Sequence, residues 1–194
     1  MAKLFGNLHL ILVIGLVLAI AVMFGFAADP SAGAPVDVNS VFRWLHVFFG
    51  ILWIGLLYYL NFVQVPTMPS IPAELKKGVT GYIAPKVFFF FRYAALLTVI
   101  TGLVVAINAG YAHEALTFSG SGKQNLIGLG MWLAIIMFLN VWLIIWPAQK
   151  KILGIVPATD EQKAKAGPPA LIASRTNLLL SLPMAYAMVS ANLG

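Results

Sequence analysis

The sequence predicts an all-α integral membrane protein, and three observations carry that expectation. Of the 194 residues 61% are hydrophobic and 9% charged, with a mean hydropathy of +0.93, against roughly 25% charged in an average soluble domain. Five runs of mostly apolar residues are each about 20 residues long, the length that crosses a bilayer. Most of the 12 Lys and Arg residues stand between those runs, so the net charge of +6 reads as a topology signal. A basic face for nucleic acid is absent, and no nucleic-acid partner is expected.

Chemistry is narrowed by what the chain lacks. With no cysteine, disulfides, iron–sulfur clusters, thiolate zinc sites and covalent haem attachment are excluded, so any haem is held non-covalently. No P-loop, G-x-G-x-x-G turn or H-E-x-x-H helix offers a foothold for ATP, dinucleotide or zincin chemistry.

The five helices are expected near 8–28, 41–65, 87–108, 125–147 and 171–192, within a single membrane domain spanning 1–194. The first follows Lys3 and contains Gly25-Phe26-Ala27, a small-x-small pattern. Its apolar stretch exceeds the 7–15 residues of a signal-peptide core, which predicts a retained helix. The second ends at Pro66 and the fourth at Pro147. The third opens on Phe88 to Phe91, which cover all sides of the helix and point to lipid or partner contact. Gly128 and Gly130 let the fourth approach a neighbour closely. Pro183 interrupts the fifth, with Ser181 or a neighbouring helix expected to satisfy the freed carbonyl.

Short cytoplasmic loops carry the excess of Lys and Arg. Lys3, Lys76, Lys77, Lys86, Lys150, Lys151, Lys163 and Lys165 fall on one side, and Asp29, Asp37, His113, Glu114 and Lys123 on the other. The N-terminus is therefore expected inside and the C-terminus outside, with the basic loops against the lipid bilayer.

The second and fourth runs resemble each other. Trp53 precedes Asn61 by the interval at which Trp132 precedes Asn140, and each run leads to a proline, then to Arg92 or Arg175 in the next. Two parallel copies of a helical hairpin, forming a four-helix bundle with an additional N-terminal helix, follow from this repeat.

The repeat brings polar residues to one depth near the cytoplasmic leaflet: Asn61, Gln64, Asn140, Arg92, Arg175 and Asn177. Arginines without intramembrane carboxylates need a partner. Haem propionates, a quinone carbonyl or an anionic heterocycle would serve, as would helix carbonyls or lipid phosphates. The asparagines and Gln64 are the candidate substrate contacts of this cluster.

His46 lies about five residues inside the second run, with Gly50 one turn further on the same face. An imidazole with little bulk beside it suits an axial ligand of b-type haem; a packing histidine bonded to a neighbouring carbonyl is the alternative. Met131, Met23 and His113 are candidates for the second axial position. His113 and Glu114 with Asp29 and Asp37 have no diagnostic metal-binding spacing.

The stretches Arg43-Trp44-Leu45-His46, Gly50-Ile51-Leu52-Trp53-Ile54-Gly55, Asn61-Phe62-Val63-Gln64-Val65-Pro66, Asn140-Val141-Trp142, Trp146-Pro147, Arg175-Thr176-Asn177 and Ser181-Leu182-Pro183 resemble the membrane domain of bacterial cytochrome c-type urate oxidases. The resemblance covers roughly residues 41–190 and implies a bacterial cytoplasmic membrane and electron transfer linked to urate oxidation. It also implies a C-terminal cytochrome c domain. The chain reaches Gly194 without a cysteine and is expected to stand without that domain, which weighs against urate oxidation by this chain alone.

The leading functional expectation is a membrane electron-transfer subunit holding haem b on His46 and working with a separate cytochrome or with other subunits of a membrane complex. A cofactor-free accessory subunit of a respiratory, photosynthetic or oxidase complex is the second. A small-anion carrier using Arg92 and Arg175 is the third.

Overall fold

The computed structural model describes residues 5–27 and 37–191, with the side chains of residues 26 and 27 excepted. Asp29 lies outside the described residues. Every regular element among them is helical. In order these are α1 (Leu8–Ala27), α2 (Val38–Ser70), α3 (Ala73–Asn108), the short α4 (Ala112–Thr117), α5 (Gly122–Ile152) and α6 (Asp160–Ser190). Helices α1, α2, α3 and α5 are long and apolar enough to cross a membrane. Helix α6 has 31 residues but carries Arg175, Thr176, Asn177 and Ser181 through its middle. The chain divides into two units, residues 1–41 and 42–194, and the first contains α1.

At the starts of α2 and α6 a capping residue, not hydropathy, carries the helix beyond its apolar run. At the start of α2, Asp37 accepts from the Ser40 amide at 2.5 Å. Helix α6 begins at Asp160, far ahead of the expected 171. Thr159 accepts from the Gln162 amide while Gln162 accepts from the Thr159 amide, a reciprocal capping box. The helix runs through Pro168 and Pro169, so Lys163 and Lys165 lie on its first turns and pair with Asp160 and Glu161. Ser181 donates to the Leu178 carbonyl, one residue short of the Leu179 carbonyl that Pro183 frees.

Three helices widen to a π turn for five or six residues: Tyr59–Gln64 in α2, Val79–Ile83 in α3 and Asn140–Ile145 in α5. A proline follows each, Pro66, Pro85 or Pro147, in the first turn of the resumed α-helix. Proline lacks the N–H and crowds the carbonyl four residues back, and a wider turn accommodates both. Asn61 and Asn140, the matched residues of the sequence repeat, both lie in these turns.

In residues 42–194 one core joins four helices. Trp53, Leu57 and Leu60 of α2 meet Phe88, Phe91, Ala94 and Ala95 of α3, Ala134, Met137 and Val141 of α5, and Ala173 and Met184 of α6. The many alanines reflect how helices associate in lipid, where close van der Waals approach replaces the hydrophobic drive. Of the four phenylalanines opening the third run, Phe88 and Phe91 are buried in this core, and only Phe89 and Phe90 face outward. Gly128 performs the expected close approach: a Cβ there would lie 2.0 Å from the Ala115 carbonyl oxygen of α4.

Candidate functional site

Helices α2, α3, α5 and α6 line an open cavity of about 780 Å³, within the 300–1,000 Å³ range of small-molecule and cofactor sites. Helix α2 contributes a face on which Arg43, His46, Gly50, Trp53 and, one residue on, Ile54 and then Tyr58 recur at helical spacing. Thr98 and Gly102 come from α3, Met131 and Ala134 from α5, and Met184 and Met188 from α6, with Tyr111 from the α3–α4 connection.

His46 is held from two sides. Its Nδ1 lies 2.8 Å from the Thr98 carbonyl oxygen. A carbonyl only accepts, so Nδ1 carries a proton, and of the two neutral tautomers this selects the one with the lone pair on Nε2. The ring also lies against Gly102, where a Cβ would stand 2.7 Å from His46 Cε1 and 2.9 Å from Nδ1. Glycine at 102 is what admits the imidazole. With α2 starting at Val38, His46 is eight residues in, about 12 Å along the helix.

Few polar atoms reach this apolar chamber. Ser181 spends its proton on Leu178, so Tyr58 donates to Ser181 Oγ, at 3.3 Å. Trp53 is 1% exposed, and its indole N–H has no partner among the described residues. A buried donor left unpaired costs about 1–3 kcal/mol, so such a group invites an acceptor from an occupant. Burial raises the Tyr111 phenol above its ordinary value of 10.0, and the Arg43 guanidinium opposes that shift.

The sequence-derived candidates separate into groups. His46, Gly50 and Met131 meet in the cavity; His113 is exposed on α4 and outside the lining. Met23 belongs to the N-terminal unit. The residues expected at the cytoplasmic depth lie elsewhere and pin helices together. Asn61 Nδ2 donates to the Leu57 carbonyl at 2.9 Å and to Ser174 Oγ at 3.0 Å, and Arg175 reaches the Asn61 carbonyl at 3.4 Å. Asn140 donates to Asn177 Oδ1, and Asn177 Nδ2 donates to the Met137 carbonyl, both at 2.9 Å. Arg92 lies 3.8 Å over the Trp146 ring. Gln64 lines a separate hollow of about 150 Å³, its buried Oε1 without a partner among the described residues. No group of three or more His, Asp or Glu residues suited to a metal occurs among the described residues.

Thr98, Gly102, Trp53, Arg43 and Tyr111 were not singled out by the sequence as site residues. Thr98 and Thr101, two hydroxyls in an apolar run followed at once by Gly102, were the available signal.

No curated protein and no solved structure matches the chain. A family model described as urate oxidase N-terminal matches residues 86–194, which include the α3, α5 and α6 walls of the cavity but not His46. With more than half of its length matched, the chain belongs to the urate oxidase N-terminal family.

Proposed function

We propose that this protein is an electron-transfer subunit of the bacterial cytoplasmic membrane that holds b-type haem in the cavity, with His46 as an axial ligand. One observation carries the reading: the Thr98 carbonyl fixes the His46 tautomer so that Nε2 is the free nitrogen in a chamber of cofactor size. Orientation of a ligating imidazole through its other nitrogen is the usual support of a metal-bound histidine. Met131 is the one of the three proposed second ligands in the lining, and Met184 and Met188 add thioethers there. Arg43 suits an anionic edge of the cofactor, and Trp53 offers a donor. Bound haem would supply one-electron chemistry; the chain's own residues hold it, exclude water and set its polarity.

The same reading takes α6 as a fifth crossing, with the N-terminus inside, and residues 42–194 as a four-helix bundle built from two hairpin copies. The matched π turns at Asn61 and Asn140 support the duplication. So does a reciprocal reach: Arg92 of the first hairpin lies on Trp146 of the second, and Arg175 of the second binds the Asn61 carbonyl of the first.

A reduced-minus-oxidised spectrum and a pyridine haemochrome assay on the detergent-purified full chain test the proposal. Stoichiometric b-type haem, lost in His46→Ala, is expected. A folded, colourless wild-type protein refutes it and turns attention to partner subunits.

A further inference from the structure

Arg92 has its charge in an unusual setting. Its guanidinium lies 3.8 Å over Trp146, 5.0 Å from the Tyr93 ring and 5.3 Å from that of Phe89. Stacking engages the face of the guanidinium and leaves its edge, which carries five N–H donors, free for an oxyanion. Among the described residues only one donor has a protein acceptor, the Phe88 carbonyl, and at a long 3.5 Å. Lys150 brings a second cation to the same indole, 5.9 Å from its centre.

Among the described residues no carboxylate forms an ion pair with either cation. The ion pairs among the described residues are Lys163 with Asp160 and Lys165 with Glu161, both confined to the start of α6. The site is nevertheless built across two helices. Trp142 of α5 donates to the Arg92 carbonyl of α3 at 3.2 Å, and the Tyr93 ring meets Trp142 edge-on at 5.9 Å. Arg92 is sixteen residues before the end of α3 at Asn108, about 24 Å along the helix. Measured from that end across a hydrocarbon core about 30 Å thick, its backbone stops about 6 Å short of the far headgroup layer, a gap that a snorkelling arginine side chain spans.

We infer that Arg92 and Lys150, both set against the Trp146 ring, form a binding site for the phosphate of an anionic phospholipid at the α3–α5 groove. Two cations without an acid favour a headgroup of net negative charge over a zwitterionic one, and the guanidinium edge suits two oxygens of one phosphate. The site is remote from the His46 cavity, whose lining contains neither cation, and it does not depend on haem.

The full chain in nanodiscs of phosphatidylcholine, doped with increasing phosphatidylglycerol, is followed by thermal unfolding and by native mass spectrometry of retained lipid. Phosphatidylglycerol should raise the unfolding temperature and remain bound. Arg92→Lys, which keeps the charge but loses the fork, and Lys150→Gln should each weaken that retention about tenfold, the loss of one charge-assisted hydrogen bond. Lys165→Gln should leave it unchanged. Equal retention in wild type, Arg92→Lys and Lys150→Gln overturns the assignment. Stabilisation by inorganic phosphate in phosphatidylcholine alone, matching that by phosphatidylglycerol, overturns the lipid as ligand in favour of a soluble phosphate.

Discussion

Gly102→Ala is the sharpest perturbation of the cavity. The added methyl group would stand 2.7 Å from His46 Cε1, 2.9 Å from Nδ1 and 3.5 Å from Nε2. Non-bonded carbons rest at about 3.5–4.0 Å, so the ring must retreat by about 1 Å. The bond from Nδ1 to the Thr98 carbonyl, 2.8 Å long, then stretches beyond useful length. Loss of that bond costs about 0.5–1.5 kcal/mol and the overpacking about 1–3 kcal/mol. Alanine returns up to about 1 kcal/mol through its helix propensity, leaving a net destabilisation of about 0.5–4.5 kcal/mol. The assay is SDS-titrated or thermal unfolding of the purified chain in a double-mutant cycle with His46→Ala. Without the imidazole, Gly102→Ala should become neutral or stabilising by up to about 1 kcal/mol. If Gly102→Ala costs the same with and without His46, or stabilises both backgrounds, the ring does not rest on Gly102 and the fixed tautomer loses its basis.

Gly128→Ala should destabilise by about 2 kcal/mol or more, because its methyl group meets the Ala115 backbone at 2.0 Å, whereas Gly130→Ala meets only Ala187 Cβ at 3.2 Å and the flexible Met188 and should cost less than about 1 kcal/mol. Equal unfolding midpoints for the two would refute this packing of α4 on α5. Asn177→Ala strips a partner from both Asn140 and the Met137 carbonyl, and a loss of about 1–3 kcal/mol is expected in the same unfolding assay. Tyr111 gives a pH signature: its phenol is raised above 10.0 by burial against the opposing pull of Arg43, so the unfolded chain loses that proton first. The stability from the neutral phenol is complete below about 10.0 and is lost as pH rises through the folded value. Tyr111→Phe should flatten this alkaline decline in an unfolding series against pH, and an unchanged slope would contradict the burial of the phenol.

The helical class and the approximate positions of the helices long and apolar enough to cross a membrane were legible because they depend on composition and on local runs of apolar residues. His46, Gly50 and Met131 were legible as candidates, since an imidazole with a glycine one turn further on the same face stands out in an apolar run, and the structure brings the three to one cavity. Helix ends were less so: Thr159 and Gln162 extend α6 through polar residues and two prolines that hydropathy excludes.

Tertiary structure alone decided what each polar residue faces. Arg92, Arg175, Asn61, Asn140 and Asn177 share a depth in sequence, yet their partners are an indole ring, helix carbonyls, one another's side chains and that of Ser174 rather than a cavity. Periodicity fixes the face of a residue within its own helix, but the rotation of one helix against the next depends on close packing of distant side chains. For that reason Thr98 and Gly102, more than fifty residues from His46 in sequence, are the atoms that hold its ring.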